Sequence, residues 1–258
     1  MHVVEGIDDL QPQYGPVFVV IGVFDGLHRG HAYLLEHLVT EAAARDARPT
    51  VITFDHHPDE VLMGKAPPLL LDSDERLERL EAAGVAVTIV QPFDEAVRQT
   101  PYDTFVERIR ARVALTGFLM TPDAAFGFER RGTPEALAGL GERDGFDVVV
   151  VPTFSLDGKE VRSSTIRDAI SSGDLAMAER LLGRPVTLTG SAAGAVDGRA
   201  RLDFRLPVAL PPDGDYEATL DGRPLRLRID GGDAFLLGDI SNRRVTVVLQ
   251  RSGSSSAA

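Results

Sequence analysis

The amino-acid sequence predicts an α/β fold, with a parallel sheet domain first and a small antiparallel β-barrel domain after it. Over residues 1–185, short β-branched runs alternate with helical patterns, which is typical of a parallel sheet with helices on both faces. From residue 186 onward the runs become short and alternating, with Gly, Pro and Asp turns between them. That pattern favours a small antiparallel barrel or sandwich. The 258 residues suit one large domain and one small one.

In the first domain, unbroken apolar runs predict strands that are buried on both faces. These strands cover residues 17–23, 50–54, 85–90, 118–120 and 147–151. Apolar residues at helical spacing predict helices between them. The helices cover residues 34–42, 72–83, 104–115, 134–140 and 164–182. Pro49 is expected to close the connection before the second strand, Gly84 to end the second helix, and Gly173 to break the last one.

In the second domain, period-two alternation predicts five strands. They cover residues 186–189, 200–206, 216–220, 225–229 and 245–249, and turns such as Asp221-Gly222 separate them. The sequence therefore predicts domains at residues 1–185 and 186–251. A Ser-rich flexible tail is expected at residues 252–258.

Composition and charge exclude several functional classes. The chain has 27 Lys and Arg against 39 Asp and Glu, a net charge of −12, which argues against binding to nucleic acid or acidic membranes. It has no cysteine, so disulfides and thiolate metal sites are excluded. The longest apolar run has eight residues, whereas a membrane-spanning helix needs about 20. With no secretory signal at the N-terminus, we expect a cytoplasmic protein.

The strongest chemical signal is Gly-Val-Phe-Asp-Gly-Leu-His-Arg-Gly-His at residues 22–31, between the first strand and the first helix. Ligands of open parallel sheets bind at this edge, and a helix N-terminus suits a phosphate. Gly26 and Gly30 allow the backbone to approach a ligand closely. His28 and His31 could both face a phosphate and stabilise the charge that grows during its transfer. The spacing alone leaves open a metal pair, or two surface histidines on a loop.

This motif resembles the nucleotidyltransferase superfamily, and in its longer form the bacterial FAD synthetase family of bifunctional riboflavin kinase/FMN adenylyltransferases. Other stretches over residues 1 to about 187 agree in order and spacing. They are Thr-Phe-Asp-His-His-Pro at 53–58, Asp-Ala-Ala-Phe-Gly at 123–127 with Arg131-Gly132, Val-Arg-Ser-Ser-Thr-Ile-Arg at 161–167, and Leu-Leu-Gly-Arg-Pro at 181–185. The resemblance implies a Rossmann-like nucleotidyltransferase domain that joins AMP from ATP to FMN, with FAD and pyrophosphate as products.

The resemblance also implies roles for individual residues. The catalytic set is His28, His31, Ser164 and Arg167, with Arg167 holding the departing pyrophosphate. The expected nucleotide-binding set is Gly22, Phe24, Asp25, Gly26, Gly30, Ser163 and Thr165. The expected flavin-binding set is Phe54, His57, Pro58, Asp123, Phe126, Gly127 and Phe128. Core packing would explain each Phe equally well, and N-capping would explain the serines. No metal site made by the protein is expected, because Mg²⁺ would enter with ATP and be held mainly by the nucleotide and water.

The chain departs from the family pattern in both domains. Asp55-His56 replaces a Glu-Pro, Ala124 stands where an aromatic residue is usual, and Arg162 occupies a usual Ser position. In the second domain, Asp197-Gly198-Arg199 resembles part of the family's kinase pattern. The Pro-Thr-Ala-Asn motif of that pattern is absent from the sequence. We therefore expect a degenerate flavokinase-like barrel without riboflavin kinase activity.

Two alternatives stay open at this point. One is a paralogue that transfers a nucleotidyl group, for example from CTP, to FMN or to another phosphate acceptor. The other is a non-catalytic flavin- or nucleotide-binding sensor, against which the intact His28, His31, Ser164 and Arg167 argue. The expected partners are small-molecule substrates only, and the sequence leaves the oligomeric state unassigned.

Overall fold

The computed structural model describes residues 1–196, 198–238, 240 and 243–250. The chain forms two compact units. The sheet unit consists of Met1–Phe24, Gly30–Pro67 and Leu77–Ser155. The barrel unit consists of Asp25–Arg29, Pro68–Arg76 and the chain from Leu156 onward. The grouping of Leu156 to Pro185 with the barrel differs from the predicted boundary after residue 185, which stays a prediction. The predicted tail at 252–258 and Asp197 lie outside the described residues.

The sheet unit contains six parallel strands in the order β1-β4-β3-β2-β5-β6. They are β1 His2–Glu5, β2 Val17–Ile21, β3 Arg48–Phe54, β4 Val87–Gln91, β5 Leu115–Met120 and β6 Asp147–Val150. From β2 the chain moves outward to β3 and β4, and it later returns to place β5 on the other side of β2. The carboxyl ends of β2 and β5 therefore flank a topological switch point, where ligands of such sheets bind.

Six helices lie between the strands of the parallel sheet along the chain, and two more precede the barrel strands. They are α1 Arg29–Ala44, α2 Asp59–Met63, α3 Ser73–Ala82, α4 Glu95–Arg98, α5 Tyr102–Arg110, α6 Pro134–Asp144, α7 Ser163–Ser171 and α8 Leu175–Leu182. A short hairpin of β7 Ser155–Leu156 and β8 Lys159–Glu160 lies between α6 and α7. The central strands bury Val19, Ile52 and Phe118 completely or nearly so, as their unbroken apolar runs predict.

The barrel unit closes six antiparallel strands in the order β10-β13-β12-β11-β14-β9. They are β9 Thr187–Val196, β10 Arg199–Asp203, β11 Gly214–Leu220, β12 Arg223–Asp230, β13 Asp233–Leu237 and β14 Arg243–Leu249. In β12, buried Leu227 and Ile229 alternate with more exposed neighbours, which is the pattern of a barrel wall. The predicted fold class, a parallel α/β sheet followed by a small antiparallel barrel, is therefore confirmed.

Several element boundaries were predicted wrongly. The helix expected over 104–115 ends at Arg110, and Leu115 already begins β5. Val113 is buried without being helical, so its apolar character continued the helical pattern past the end of the helix. Pro49 lies inside β3 rather than before it, close to the strand start where proline is tolerated. Strands β1 and β13 were missed altogether.

Other local predictions are confirmed. Gly84 follows α3 with a φ of +88°, and Gly173 separates α7 from α8 with a φ of +82°. Asp174 then caps α8, because its carboxylate accepts the backbone N–H of Met177 at 2.9 Å. Asp221 and Gly222 both have positive φ, as the two-residue hairpin between β11 and β12 requires. Within the described ranges, no helix is long and apolar enough to cross a membrane.

Candidate functional site

A cavity of about 550 Å³ lies in the sheet unit at the switch point. Its wall includes Ile21, Gly22 and Val23 at the end of β2, and Phe118 to Met120 at the end of β5. The end of β3 contributes Phe54. The cavity thus occupies the place where open α/β sheets bind ligands, and its volume suits a ligand of drug or cofactor size.

Six of the seven residues predicted to bind the flavin line this cavity. They are Phe54, His57, Pro58, Phe126, Gly127 and Phe128. Asp123 is the exception, since it is exposed and does not belong to the wall. Its carboxylate accepts the hydroxyl of Thr121 at 2.9 Å, and its carbonyl accepts the Arg130 guanidinium at 3.1 Å. Asp123 therefore holds the loop after β5 in shape.

Aromatic contacts fix the wall of the cavity. The Phe126 ring centroid lies 5.5 Å from that of Phe105 and 5.9 Å from that of Phe118. The Phe54 ring meets the Phe93 ring edge-on at 5.1 Å. Gly127 has a φ of +75°, and a Cβ there would lie 2.6 Å from the backbone nitrogen of Tyr102, so only glycine fits. The wall is therefore largely aromatic, with six phenylalanines among its lining residues.

The departures from the family pattern differ in their relation to this cavity. Asp55 and His56 are not among its lining residues, and the Asp55 carboxylate accepts the backbone N–H groups of His56 and Phe93. Ala124 does line the cavity. Of these departures, only the one at Ala124 changes the surface that a ligand would meet.

The histidine motif lies immediately after β2, in a loop with unusual backbone geometry. Phe24, Gly26 and Leu27 have φ values of +53°, +80° and +36°. Two of these residues carry side chains, and such conformations cost about 1–3 kcal/mol each unless the surroundings hold them. Helix α1 begins at Arg29, so His28 directly precedes the helix and Gly30 and His31 lie in its first turn.

The motif is shared between the two compact units. Gly22, Phe24, Gly30 and His31 belong to the sheet unit, where the rings of Phe24 and His31 lie 5.1 Å apart. Asp25, Gly26 and His28 belong to the barrel unit, together with Ser163, Ser164, Thr165 and Arg167. The residues of the predicted catalytic and nucleotide-binding sets thus fall into two subsets, one in each unit.

In the barrel unit, Asp25 is the centre of a buried cluster. Its carboxylate forms an ion pair with Arg167 at 2.6 Å and accepts the backbone N–H of Leu70 at 2.9 Å. Its carbonyl accepts the Ser163 hydroxyl at 2.9 Å. The Arg167 Nε donates to the carbonyl of Pro68 at 2.8 Å. The first motif and the second signature are thus joined through Asp25, whose side chain is only 3% exposed.

The second signature begins α7. Ser163, Ser164 and Thr165 are the first three residues of this nine-residue helix, and Ser164 and Thr165 are exposed. Arg162 occupies the N-cap position without a side-chain capping hydrogen bond, and its guanidinium pairs with Glu160. The hydroxyls are therefore inside the helix rather than capping it. Backbone N–H groups of a first turn that lacks a side-chain cap suit a phosphate.

Burial and nearby positive charge set the protonation state of His28. Burial, followed by the charges of Arg184 and Arg167, lowers the pKa of His28 to about 4. The imidazole is therefore neutral at pH 7, and it acts as a hydrogen-bonding group rather than as a cation.

A pH dependence of stability follows from this pKa. Because His28 takes up a proton at about pH 6.5 when unfolded and at about 4 when folded, acid favours the unfolded chain between these values. His28 contributes fully to the free energy of unfolding above pH 6.5, and this free energy is about 3 kcal/mol lower by pH 4. The His28→Gln variant should not show this fall in the free energy of unfolding. Urea unfolding of both proteins from pH 7.5 to 4 measures the difference, and parallel stability curves would contradict the assignment.

Arg184 makes contacts that its position in the sequence did not predict. Its guanidinium donates to the carbonyl of Gly26 at 2.8 Å and to that of Leu27 at 3.3 Å. The only sequence signal was its place in the Leu-Leu-Gly-Arg-Pro stretch. That signal marked a resemblance and gave no indication that the arginine contacts the histidine motif.

Comparison with known proteins gives concordant matches. The sequence model described as FAD synthetase matches residues 10–165. The bifunctional riboflavin kinase/FMN adenylyltransferase of Haemophilus influenzae is 33% identical over 192 residues, which cover 74% of this chain and 62% of that protein. The protein of the same description from Escherichia coli K12 is 34% identical over 194 residues, with the same coverage. The matched part thus spans about 62% of the length of these curated relatives.

A solved structure has a similar fold over most of this chain. A Streptococcus pneumoniae protein described as a macrolide-efflux protein superposes with a TM-score of 0.79 and covers 96% of both chains. The two sequences are 23% identical, so this similarity concerns the fold alone.

Proposed function

Because the chain belongs to the FAD synthetase family, we propose that it transfers AMP from ATP to FMN, forming FAD and releasing pyrophosphate. The observation that carries this proposal is the cavity at the switch point, where six residues of the predicted flavin set line one aromatic-walled space. A flavin ring is flat and largely apolar, so its binding energy comes from burial against such faces.

In the proposed reaction, a phosphate oxygen of FMN forms a bond to the α-phosphorus of ATP. The bond from that phosphorus to the bridging oxygen breaks, and pyrophosphate leaves with the bonding electrons. The FMN phosphate is already ionised near pH 7, so no base has to remove a proton. The demand on the protein is to position two anions and to stabilise the charge of the transition state.

His28 and His31 are proposed to meet this demand as hydrogen-bond donors to the α-phosphate. A neutral His28 donates through one ring nitrogen, and an approaching triphosphate would favour its protonated form. The first turn of α7, with Ser164 and Thr165, is proposed to bind phosphate oxygens. Mg²⁺ is a part of the MgATP substrate, where it neutralises phosphate charge.

Arg167 is proposed to bind the departing pyrophosphate. A guanidinium has five N–H donors in a planar fork. Among the described residues, Asp25 and Pro68 receive two donated hydrogen bonds from it. The ion pair with Asp25 fixes the plane of the fork, and the other donors can serve phosphate oxygens without breaking that pair.

The barrel is proposed to lack riboflavin kinase activity. The sequence nowhere contains the Pro-Thr-Ala-Asn motif that the kinase pattern requires. The barrel strands themselves form a complete closed sheet, so the loss concerns a catalytic motif rather than the fold.

A product assay tests both parts of the proposal. The purified chain is incubated with Mg²⁺, FMN and an equimolar mixture of ATP, CTP and GTP, and the products are identified by mass spectrometry. We expect FAD and pyrophosphate, and with riboflavin in place of FMN we expect no FMN. A cytidine or guanosine dinucleotide as main product would contradict the choice of ATP, and absence of any flavin dinucleotide would reject the function.

Filling the cavity should weaken flavin binding selectively. Ala125 lines the cavity, and Ala125→Phe places a bulky ring in the space assigned to FMN. We expect the dissociation constant for FMN to rise by about tenfold or more, equivalent to at least ~1.4 kcal/mol, with little change in the KM for ATP. Quenching of flavin fluorescence measures the binding.

The matched control is Ala43→Phe, at an exposed position of α1 that does not belong to the cavity lining. Equal FMN affinities of the two variants would show that the cavity does not hold the flavin.

A further inference from the structure

The loop that carries His28 is strained and needs external support. Gly26 and Leu27 both have positive φ, and Leu27 has a side chain that disfavours this conformation. A loop of this kind relaxes unless neighbouring groups hold it. The position of His28, the next residue, therefore depends on what holds the two peptide units before it.

Three successive carbonyls of this loop accept hydrogen bonds from side chains. The Asp25 carbonyl accepts the Ser163 hydroxyl, and the Gly26 and Leu27 carbonyls accept the two terminal nitrogens of Arg184. Ser163 belongs to the second signature, whereas Arg184 belongs to none of the predicted sets. Arg184 thus provides the side-chain hydrogen bonds to the carbonyls of both Gly26 and Leu27.

The chain anchors Arg184 firmly. It follows Gly183, which ends α8 in the left-handed conformation with a φ of +79° and donates its N–H to the carbonyl of Glu179. Pro185 follows it and restricts the backbone on the other side. The guanidinium is thus attached to a well-defined helix end, and its planar fork can serve two adjacent carbonyls at once, which a lysine ammonium cannot reproduce.

We propose that Arg184 is a positioning residue for nucleotidyl transfer, holding the strained Gly26–Leu27 peptides so that the His28 imidazole is aimed at the reacting phosphate. This inference rests on the proposed function. Arg184 acts through His28 and is not assigned a contact with substrate. Its positive charge also favours the neutral imidazole, since Arg184 is one of the two charges that lower the pKa of His28.

The test compares Arg184→Lys and Arg184→Met with Arg180→Met in the full-length chain. Arg180 lies four residues earlier, within α8, in an exposed ion pair with Asp157, and it has no role in the proposed site. We expect both Arg184 variants to lose kcat by about 10- to 100-fold, since a displacement of about 1 Å has effects of this size. The KM for FMN should change less than twofold, and Arg180→Met should match the wild type.

Titration of His28 by NMR provides a readout that a general loss of stability would not move. The His28 resonance is assigned by its absence from His28→Gln. Arg184→Met should raise the pKa of His28, and Arg184→Lys, which keeps the charge, should raise it less while losing as much kcat. Circular dichroism establishes that each variant is folded.

The outcomes separate this proposal from the proposed function. If folded Arg184→Met keeps kcat within twofold of Arg180→Met, the positioning role is overturned. If the wild type forms no FAD, the proposed function fails, and the Arg184 contact is then judged by the titration alone. An unchanged pKa of His28 in Arg184→Met would overturn it in that case.

Discussion

Replacing His31 with alanine is expected to lower kcat for FAD formation by about 10²–10³-fold, the size of effect seen when one donor to a transition-state charge is removed. His31 lies in the first turn of α1, where its ring packs against Phe24. The expected loss falls on kcat because the charge that His31 is proposed to stabilise grows only during transfer. The dissociation constant for FMN should change little. Steady-state kinetics and flavin fluorescence measure the two quantities.

A second histidine of the same helix is the matched control. His37 lies in α1, outside every predicted set, and its ring and that of Tyr33 form a T-shaped pair with centroids 4.5 Å apart. His37→Ala should keep kcat within about twofold of the wild type. If His31→Ala loses FMN affinity as strongly as turnover, His31 only binds the substrate and the proposed catalytic role is wrong.

Replacing Asp25 with alanine is expected to destabilise the protein by about 3–5 kcal/mol, because it leaves the mostly buried Arg167 charge without its ion-pair partner. The Arg167 side chain is 15% exposed, and the variant also removes the acceptor of the Leu70 N–H. Asp25→Asn should cost less, since its side-chain oxygen can still accept that N–H. Urea unfolding followed by circular dichroism gives the free energies.

The control for Asp25 is another Asp–Arg pair of the same unit that is exposed to solvent. Asp157 pairs with Arg180, and the side chains are 63% and 51% exposed. Asp157→Ala is expected to cost less than about 1 kcal/mol, as is usual for exposed ion pairs. If Asp25→Ala and Asp157→Ala lower the free energy of unfolding by similar amounts, burial does not make the Asp25 pair more important for stability.

The sequence was sufficient for the parts of the fold where local pattern and tertiary burial agree. Unbroken apolar runs located the central strands, and glycines with positive φ ended α3 and separated α7 from α8. It failed where tertiary contacts override local pattern. The edge strand β1 has exposed residues on both sides of buried Val4, and buried Val113 extended a helical pattern past the true helix end.

The grouping of the candidate site residues was predictable to a similar degree. Most of the proposed flavin set could be expected to lie together because its members come from stretches at the ends of β3 and β5. The contacts around Asp25 join residues 45 and 142 positions apart, and no local signal encodes such a pairing. Arg184 was missed for the same reason, since it reaches a motif 158 positions earlier in the chain.

The segment Pro68–Arg76 connects the histidine motif to the barrel strands through hydrogen bonds. Leu69 pairs with the barrel chain at Pro207 and Ala209, and the Glu75 carboxylate accepts the hydroxyls of Thr187 and Thr189. The next residue after Leu69 donates its N–H to Asp25 inside the histidine motif. Removal of the chain after residue 185 would take away these partners of Leu69 and Glu75, so we expect the barrel strands to stabilise the histidine motif even if they bind no substrate.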